Sequence, residues 1–343
     1  MNYFYISSTN GLSGICKYSR DFYELILKDK GYIFMDSKQS LTTIMSAVSS
    51  RDHIHIEIGI FQKEEIKILF TMLNAGYGNV SVTLHDAPLV KYPFHEFENP
   101  FLNKLSKFYD KYINRFKAVL PFLKKLKAIY VLSHKGVEVI KKKYRIENVF
   151  FLPHIIDTAE IQKGEINNLN FIYFGFIGRN KGIEYSLQLH QLLQIQRPDI
   201  NFYVVGKALG KERAFYKSLK IKYSKNVHYL GYVPENELND IFGNATFAIH
   251  MFRDYRFFWP LSGSILYSLK KGKIVLTNKV NTIPEIINDR KNGFYLSGNL
   301  RKDKEILNTF IENRQLLQTV NDEVYSHLIQ NHSAAVVIKN FNN

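Results

Sequence analysis

The stretch Phe171-Ile172-Tyr173-Phe174-Gly175-Phe176-Ile177-Gly178-Arg179-Asn180-Lys181-Gly182 decides how the chain is read. Four apolar residues are enough for a short buried strand. Three glycines and two cations follow within eight residues, and a helical pattern opens at Ile183. Strand, glycine-rich turn and helix start are the first parts of a βαβ unit, whose turn is where a ligand meets the sheet. Backbone N–H groups and the helix dipole favour an anion at such a turn, and Arg179 or Lys181 would neutralise a diphosphate. Ser or Thr does not follow Lys181, so this is not a Walker A loop. The alternative is a plain turn with solvated cations.

Working outward, short apolar runs alternate with helical patterns in both directions, which predicts parallel sheets. Downstream, strands are expected at Phe171–Phe174, Asn201–Val205, Val227–Leu230, Phe247–His250, Ile274–Leu276 and Gly293–Leu296. Helices are expected between them at Ile183–Gln194, Lys211–Lys222, Glu235–Phe242, Ser264–Lys271 and Pro284–Ile287. Upstream, the strands are Tyr3–Ser7, Tyr32–Met35, His53–Ile58, Val80–Leu84, Ala128–Leu132 and Val149–Leu152. The helices there are Lys17–Lys28, Lys63–Leu73, Leu102–Phe116 and Lys135–Tyr144. The polar stretch Asp157–Asn170 reads as a linker. This predicts an N-terminal α/β domain over 1–157 and a second over 158–324, with a final helix at about 325–343 returning to the first. Ligands of doubly wound sheets bind at the carboxyl ends of the strands, so two such domains predict a site across a cleft.

The 343 residues suit two domains, and 45% hydrophobic with 22% charged residues is a globular composition. The single cysteine, Cys16, excludes an intramolecular disulfide framework and fits a reducing compartment. The apolar start Met1–Ile6 has no basic leader or cleavage site and reads as a strand. No run reaches the ~18 apolar residues that span a bilayer. Lys and Arg total 46 against 31 acids, a formal charge of +15 that attracts polyanions or phosphorylated substrates.

Three further strand ends carry chemistry. Asn10-Gly11-Leu12-Ser13-Gly14-Ile15 opens a helix, and Gly14 would let the backbone approach an anion; a simple tight turn reads equally well. His85-Asp86-Ala87-Pro88 puts an imidazole and an acid at the carboxyl end of a strand, either for polar work or as a cap. In Arg253-Asp254-Tyr255-Arg256-Phe257-Phe258-Trp259-Pro260-Leu261-Ser262-Gly263-Ser264, a Ser-Gly-Ser helix start offers hydroxyls and N–H groups to a phosphate. The other reading is a capped helix beside core aromatics.

These pieces, in this order, resemble the group 1, or family 4, retaining glycosyltransferases of the GT-B fold. Gly175 to Lys181-Gly182 resembles the family's Gly-Arg-Leu-x-x-x-Lys-Gly turn, and Val205-Gly206 its next strand end. Asn226 to Pro234 with Glu237-Leu238, Gly272-Lys273-Ile274-Val275, and Ile283-Pro284-Glu285-Ile286-Ile287 with Asn292-Gly293 resemble later family stretches. Val82-Thr83-Leu84-His85-Asp86 resembles the strand that carries the family's active-site His. Val131-Leu132-Ser133 and Leu152-Pro153-His154-Ile155-Ile156-Asp157 match smaller elements. The resemblance implies an α/β GT-B architecture with two Rossmann-like domains. It also implies transfer of a sugar from a nucleoside-diphosphate sugar to a saccharide or lipid-linked acceptor, in surface polysaccharide synthesis. Gly14, Gly175, Arg179, Lys181, Gly206, Arg253, Ser262, Gly263, Ser264 and Glu285 are then the donor-binding residues, with His85 and Asp86 catalytic.

Two departures stand out. The Arg after the family's first Gly is Phe176 here, and the Glu-x7-Glu pattern is missing: counting back from Gly272, its acids would fall near Trp259 or Pro260 and near Tyr267 or Ser268. The diphosphate grip then rests on Lys181, Arg179 and the helix starts. No Asp-x-Asp appears where a metal would be held, so neither metal nor cofactor is expected. A non-catalytic GT-B relative that binds a partner or glycan is the alternative. An epimerase is less attractive, because it needs paired acid/base groups.

The acceptor is expected on the first domain. There Lys104, Lys107, Lys111 and Arg115 share one helical face, while Leu102, Leu105, Tyr109, Tyr112 and Phe116 share another. A basic amphipathic helix suits an anionic membrane surface, at roughly 1 kcal/mol per basic residue; a domain helix with a core face and a solvated face is the other reading. The expectation is a cytoplasmic enzyme docking on the inner leaflet. The strand ends carry no nucleic-acid motif, so no nucleic-acid partner is expected.

Overall fold

The computed structural model describes residues 1–9, 11, 13–59, 62–88, 101–102, 116–166, 168–210, 212–254 and 260–341. The chain divides into two compact units. One holds the residues up to Asp157, a piece ending at Leu261 and a piece from His332 onward; the other holds Thr158–Asp254 and Ser262–Asn331.

In the first unit, β1 (Tyr3–Ser7), β2 (Tyr32–Asp36), β3 (His53–Ile58), β4 (Val80–Leu84), β5 (Ala128–Val131) and β6 (Val149–Phe151) form one parallel sheet in the order β2-β1-β3-β4-β5-β6. The strand order reverses at β1, whose neighbours β2 and β3 lie on opposite sides. Both faces are covered. Ile54, Ile56 and Ile58 enter a core with Ile66, Leu69, Val82 and Leu123. The other face carries an aromatic cluster of Tyr5, Tyr18, Phe22, Tyr130 and Phe341. The helix Ala334–Phe341 closes that cluster. Phe341 edges onto Phe22 at 5.1 Å and His55 at 5.0 Å, and the Tyr130 hydroxyl donates to its carbonyl at 2.6 Å.

In the second unit, β7 (Phe171–Phe174), β8 (Phe202–Val205), β9 (Val227–Gly231), β10 (Phe247–His250), β11 (Ile274–Thr277) and β12 (Gly293–Tyr295) form a parallel sheet in the order β12-β11-β10-β7-β8-β9. Its reversal lies between β7 and β10, the crevice where doubly wound sheets take ligands. Phe171, Tyr173, Phe202, Val204, Phe247 and Leu276 build its core.

All twelve strands lie where the apolar runs predict them, within a residue or so at each end. The helices differ more. Leu41–Ala47 and Leu300–Glu312 are additional helices. The expected Pro284–Ile287 helix is one short 3₁₀ turn, Ile283–Glu285. The terminal pattern is two helices, Arg314–His332 and Ala334–Phe341, broken at Ser333. The expected helix Leu102–Phe116 falls largely outside the described residues. Among the described residues no helix is long and apolar enough to cross a membrane.

Candidate functional site

In the second unit the turns after β7 and β8 meet the start of the Gly263–Lys270 helix. Gly175 and Gly206 take φ of 127° and 152°, where side chains are strained. A Cβ on Gly206 would lie 1.8 Å from the Gly175 carbonyl oxygen, and one on Gly175 would lie 3.4 Å from the Ser264 Cβ. Glycine at both positions therefore lets two strand ends and a helix N-terminus close on one point. The Ser262 hydroxyl caps that helix, accepting from the Ile265 N–H at 3.4 Å and pairing with the Ser264 hydroxyl at 3.2 Å. Gly175, Gly206, Ser262, Gly263 and Ser264 are thus brought together.

Arg179, Asn180 and Lys181 form a single 3₁₀ turn, and Gly182 (φ 65°) caps the following helix. A Cβ on Gly182 would strike the Met251 carbonyl, so this turn packs directly on the end of β10. There the Arg253 N–H donates to the Asn180 carbonyl at 3.1 Å. The Lys181 ammonium lies 5.0 Å from the centre of the Phe252 ring. Beside it, burial, then the charge on Lys181, lowers His250 to about 3; its Nε2 meets the Ser268 hydroxyl at 3.2 Å. Arg179 turns elsewhere. It pairs with Glu212 at 3.5 Å and lies 4.5 Å from the Phe215 ring centre. Glu285 sits half-buried on the 3₁₀ turn that follows β11.

At the second acid position of the missing Glu-x7-Glu pattern the chain has inward-facing residues. Tyr267 is buried, stacked on Phe174 at 4.6 Å, and Ser268 is buried against His250. Asn278 was not anticipated. Its amide clamps both main-chain groups of Phe252, at 2.9 and 2.7 Å. Asn281 likewise donates to the Arg253 carbonyl at 3.1 Å. An amide just past a strand end was the available signal for both.

In the first unit, His85 and Asp86 leave the carboxyl end of β4. The His85 N–H donates to the Ile58 carbonyl at 3.0 Å, and a Cβ on Gly59 would lie 2.2 Å from Ile15 and 3.6 Å from Asp86. The ends of β3 and β4 and the start of the Gly14–Phe22 helix are therefore neighbours. Ser13 caps that helix, and open space lies off Gly14 where a Cβ would stand.

The residue that sequence reasoning missed is Glu57 on β3. Its carboxylate is fully buried and accepts from His85 Nε2 at 2.7 Å and the Tyr5 hydroxyl at 3.1 Å, with His55 Nε2 at 3.3 Å. Burial pushes the carboxyl up, but hydrogen bonds from His55 and His85 and the charge of their rings outweigh it, lowering Glu57 to about 2. Around this group, His55 also meets Ser81 and Thr83, each at 2.9 Å. Tyr18 sets its ring edge-on to His85 at 4.8 Å and to His154 at 4.9 Å. Burial, with the charges of His332 and His85 behind it, lowers His154 to about 3. The signal was present as His53-Ile-His-Ile-Glu57-Ile58. It reads as a half-exposed alternating strand until both faces of the sheet are known to be covered. Lys104, Lys107, Lys111 and Arg115 lie outside the described residues.

Comparison with known proteins follows the same division. The family described as "Glycosyl transferases group 1" matches residues 157–331, the span of the second unit. An uncharacterized glycosyltransferase of Methanocaldococcus jannaschii is 25% identical over 259 residues, 72% of this chain and 64% of the relative. The match thus spans under two thirds of that relative's length. Among solved structures, Anabaena HepE in complex with UDP superposes with a TM-score of 0.73 at 14% identity, covering 100% of this chain and 98% of that one. A glycosyltransferase from Rickettsia africae gives 0.68 at 13% identity, covering 99% and 97%. At these identities the likeness is one of fold, and the fold is GT-B. The family match spans just over half of the chain, which is accordingly a member of the group 1 glycosyltransferases.

Proposed function

We propose that the chain is a retaining, metal-independent hexosyltransferase. It would move a sugar from a nucleoside diphosphate to a saccharide or lipid-linked saccharide in surface polysaccharide synthesis. One observation carries the reading: Gly175 and Gly206 strip the side chains from two strand ends where they meet the capped helix start at Ser262–Ser264. That arrangement offers main-chain N–H groups to a diphosphate, with Lys181 on the neighbouring turn to meet the charge that develops as it leaves. Arg179 is held by Glu212 in this state and has a smaller part than Lys181. Gly14, Arg253 and Glu285 are assigned to the donor, and His85 with Asp86 to the sugar. UDP is the diphosphate to try first, since HepE is known in complex with UDP. The reading puts the enzyme in the cytoplasm, with the basic residues Lys104, Lys107, Lys111 and Arg115 meeting the inner leaflet and no cofactor of its own.

A thermal-shift screen against UDP, GDP, ADP and TDP tests it, with Lys181→Ala as control. One diphosphate should stabilise the wild type and leave the variant unmoved, and turnover of its sugar conjugate should be indifferent to EDTA. No shift with any of the four overturns the donor site. Tyr267 and Ser268 face inward where the family has acids, which favours a second reading, a non-catalytic relative. Diphosphate binding with no transfer or hydrolysis of any donor would establish that reading.

A further inference from the structure

We propose that Glu57 is a positioning residue for His85, holding its imidazole as the Nε2–H tautomer so that Nδ1 is the ring nitrogen left to a sugar hydroxyl. This rests on the reading that His85 addresses the donor sugar. An ionised carboxylate only accepts hydrogen bonds, so the 2.7 Å contact to Glu57 Oε2 fixes the proton on Nε2. Once Nε2–H is committed inward, a neutral ring has its lone pair on Nδ1. It can then accept from a hydroxyl but not donate to one.

The rest of the cluster holds this pair in place. The main chain of His85 is tied to Ile58 at 3.0 Å, and the edge-on Tyr18 ring at 4.8 Å blocks rotation on one side. The second oxygen of Glu57 takes the Tyr5 hydroxyl at 3.1 Å, with His55 Nε2 at 3.3 Å, so the carboxylate cannot swing away without losing both. A fully buried carboxylate is costly unless it is paired, and an apolar residue would fill this position on β3 more cheaply. The two oxygens are divided between a structural side, Tyr5 and His55, and the one imidazole that reaches the strand end.

The test reads the tautomer directly. In long-range 1H–15N spectra of the histidine-labelled full chain above neutral pH, His85 should show the Nε2–H pattern; an Nδ1–H pattern overturns the proposal whatever any variant does. Glu57→Gln keeps the shape and removes the charge, and its amide can donate as well as accept. It should blur the His85 tautomer and lower kcat about 100-fold, with the donor selected by the diphosphate screen. KM should stay within about threefold, and the diphosphate-induced thermal shift should be unchanged. A folded Glu57→Gln protein with wild-type kcat and an unchanged His85 pattern overturns the proposal. If His85→Ala turns over at the wild-type rate, the reading of His85 at the sugar fails and this proposal with it. A wild-type Nε2–H signal would then leave only a structural pair.

Discussion

At the scale of single residues, buried histidines make this protein acid-sensitive in a definable window. His250 is 1% exposed and lowered to about 3 from its ordinary 6.5. Folding therefore keeps it neutral where the unfolded chain would protonate it. The unfolded state binds the extra proton below 6.5, so stability rises with pH and is lost as pH falls from 6.5 towards 3. Between pH 7 and pH 5 this one group should cost about 2 kcal/mol. Denaturant titration at the two pH values checks it: His250→Gln should lose about 2 kcal/mol less than the wild type over that interval, and equal losses would refute it. Residues of this kind were only half legible. His85 could be picked out because it follows an apolar strand. Glu57 could not, because alternation along β3 points its odd-numbered residues towards solvent, and only the return of Phe341 shows that face to be buried.

At the scale of elements, apolar periodicity located strands well and helices less well. The Leu300–Glu312 helix was missed because its first turn, Leu300-Arg301-Lys302-Asp303, is mostly charged and masks the period. Its start is instead written in the preceding residues. The Asn299 side chain accepts from the N–H groups of Arg301 and Lys302 at 3.1 and 3.2 Å. The buried Asp303 gathers the Ser297 and Gly298 N–H groups at 2.7 and 3.0 Å and the Ser297 hydroxyl at 2.7 Å. Asn299→Ala should therefore cost about 1 kcal/mol, while Asn299→Asp, which keeps the accepting oxygen, should cost little. Equal melting temperatures for Asn299→Ala and wild type would show that the cap adds nothing. The donor turn was legible for a different reason: glycines that relieve a backbone collision are visible as glycines, whatever the fold around them. What was not legible is that Arg179 is drawn off by Glu212, 33 residues away in sequence.

For the whole molecule, the sequence displayed two series of strands and a last helix expected to return to the first, but not which side chains that helix covers. The cluster that holds Glu57 and His85 in their places is completed by Val337 and Phe341, in a helix that follows the entire second unit. The chain is made in one direction, and this has a temporal consequence. About 175 residues separate Asp157 from His332. At about 5–20 residues per second, the first unit waits roughly 9–35 s on the ribosome for its last helix. By the end of that interval the second unit has all of its strands, whereas Tyr5, Phe22 and Tyr130 still lack their cover. The half that starts first is therefore the half that finishes last, and it depends on whatever shields nascent aromatic surface in the cell. A chain stopped after Asn331 should yield a second unit that still binds its diphosphate and a first unit that resists neither protease nor aggregation. Full protection of both halves in limited proteolysis would show that the final helix is dispensable.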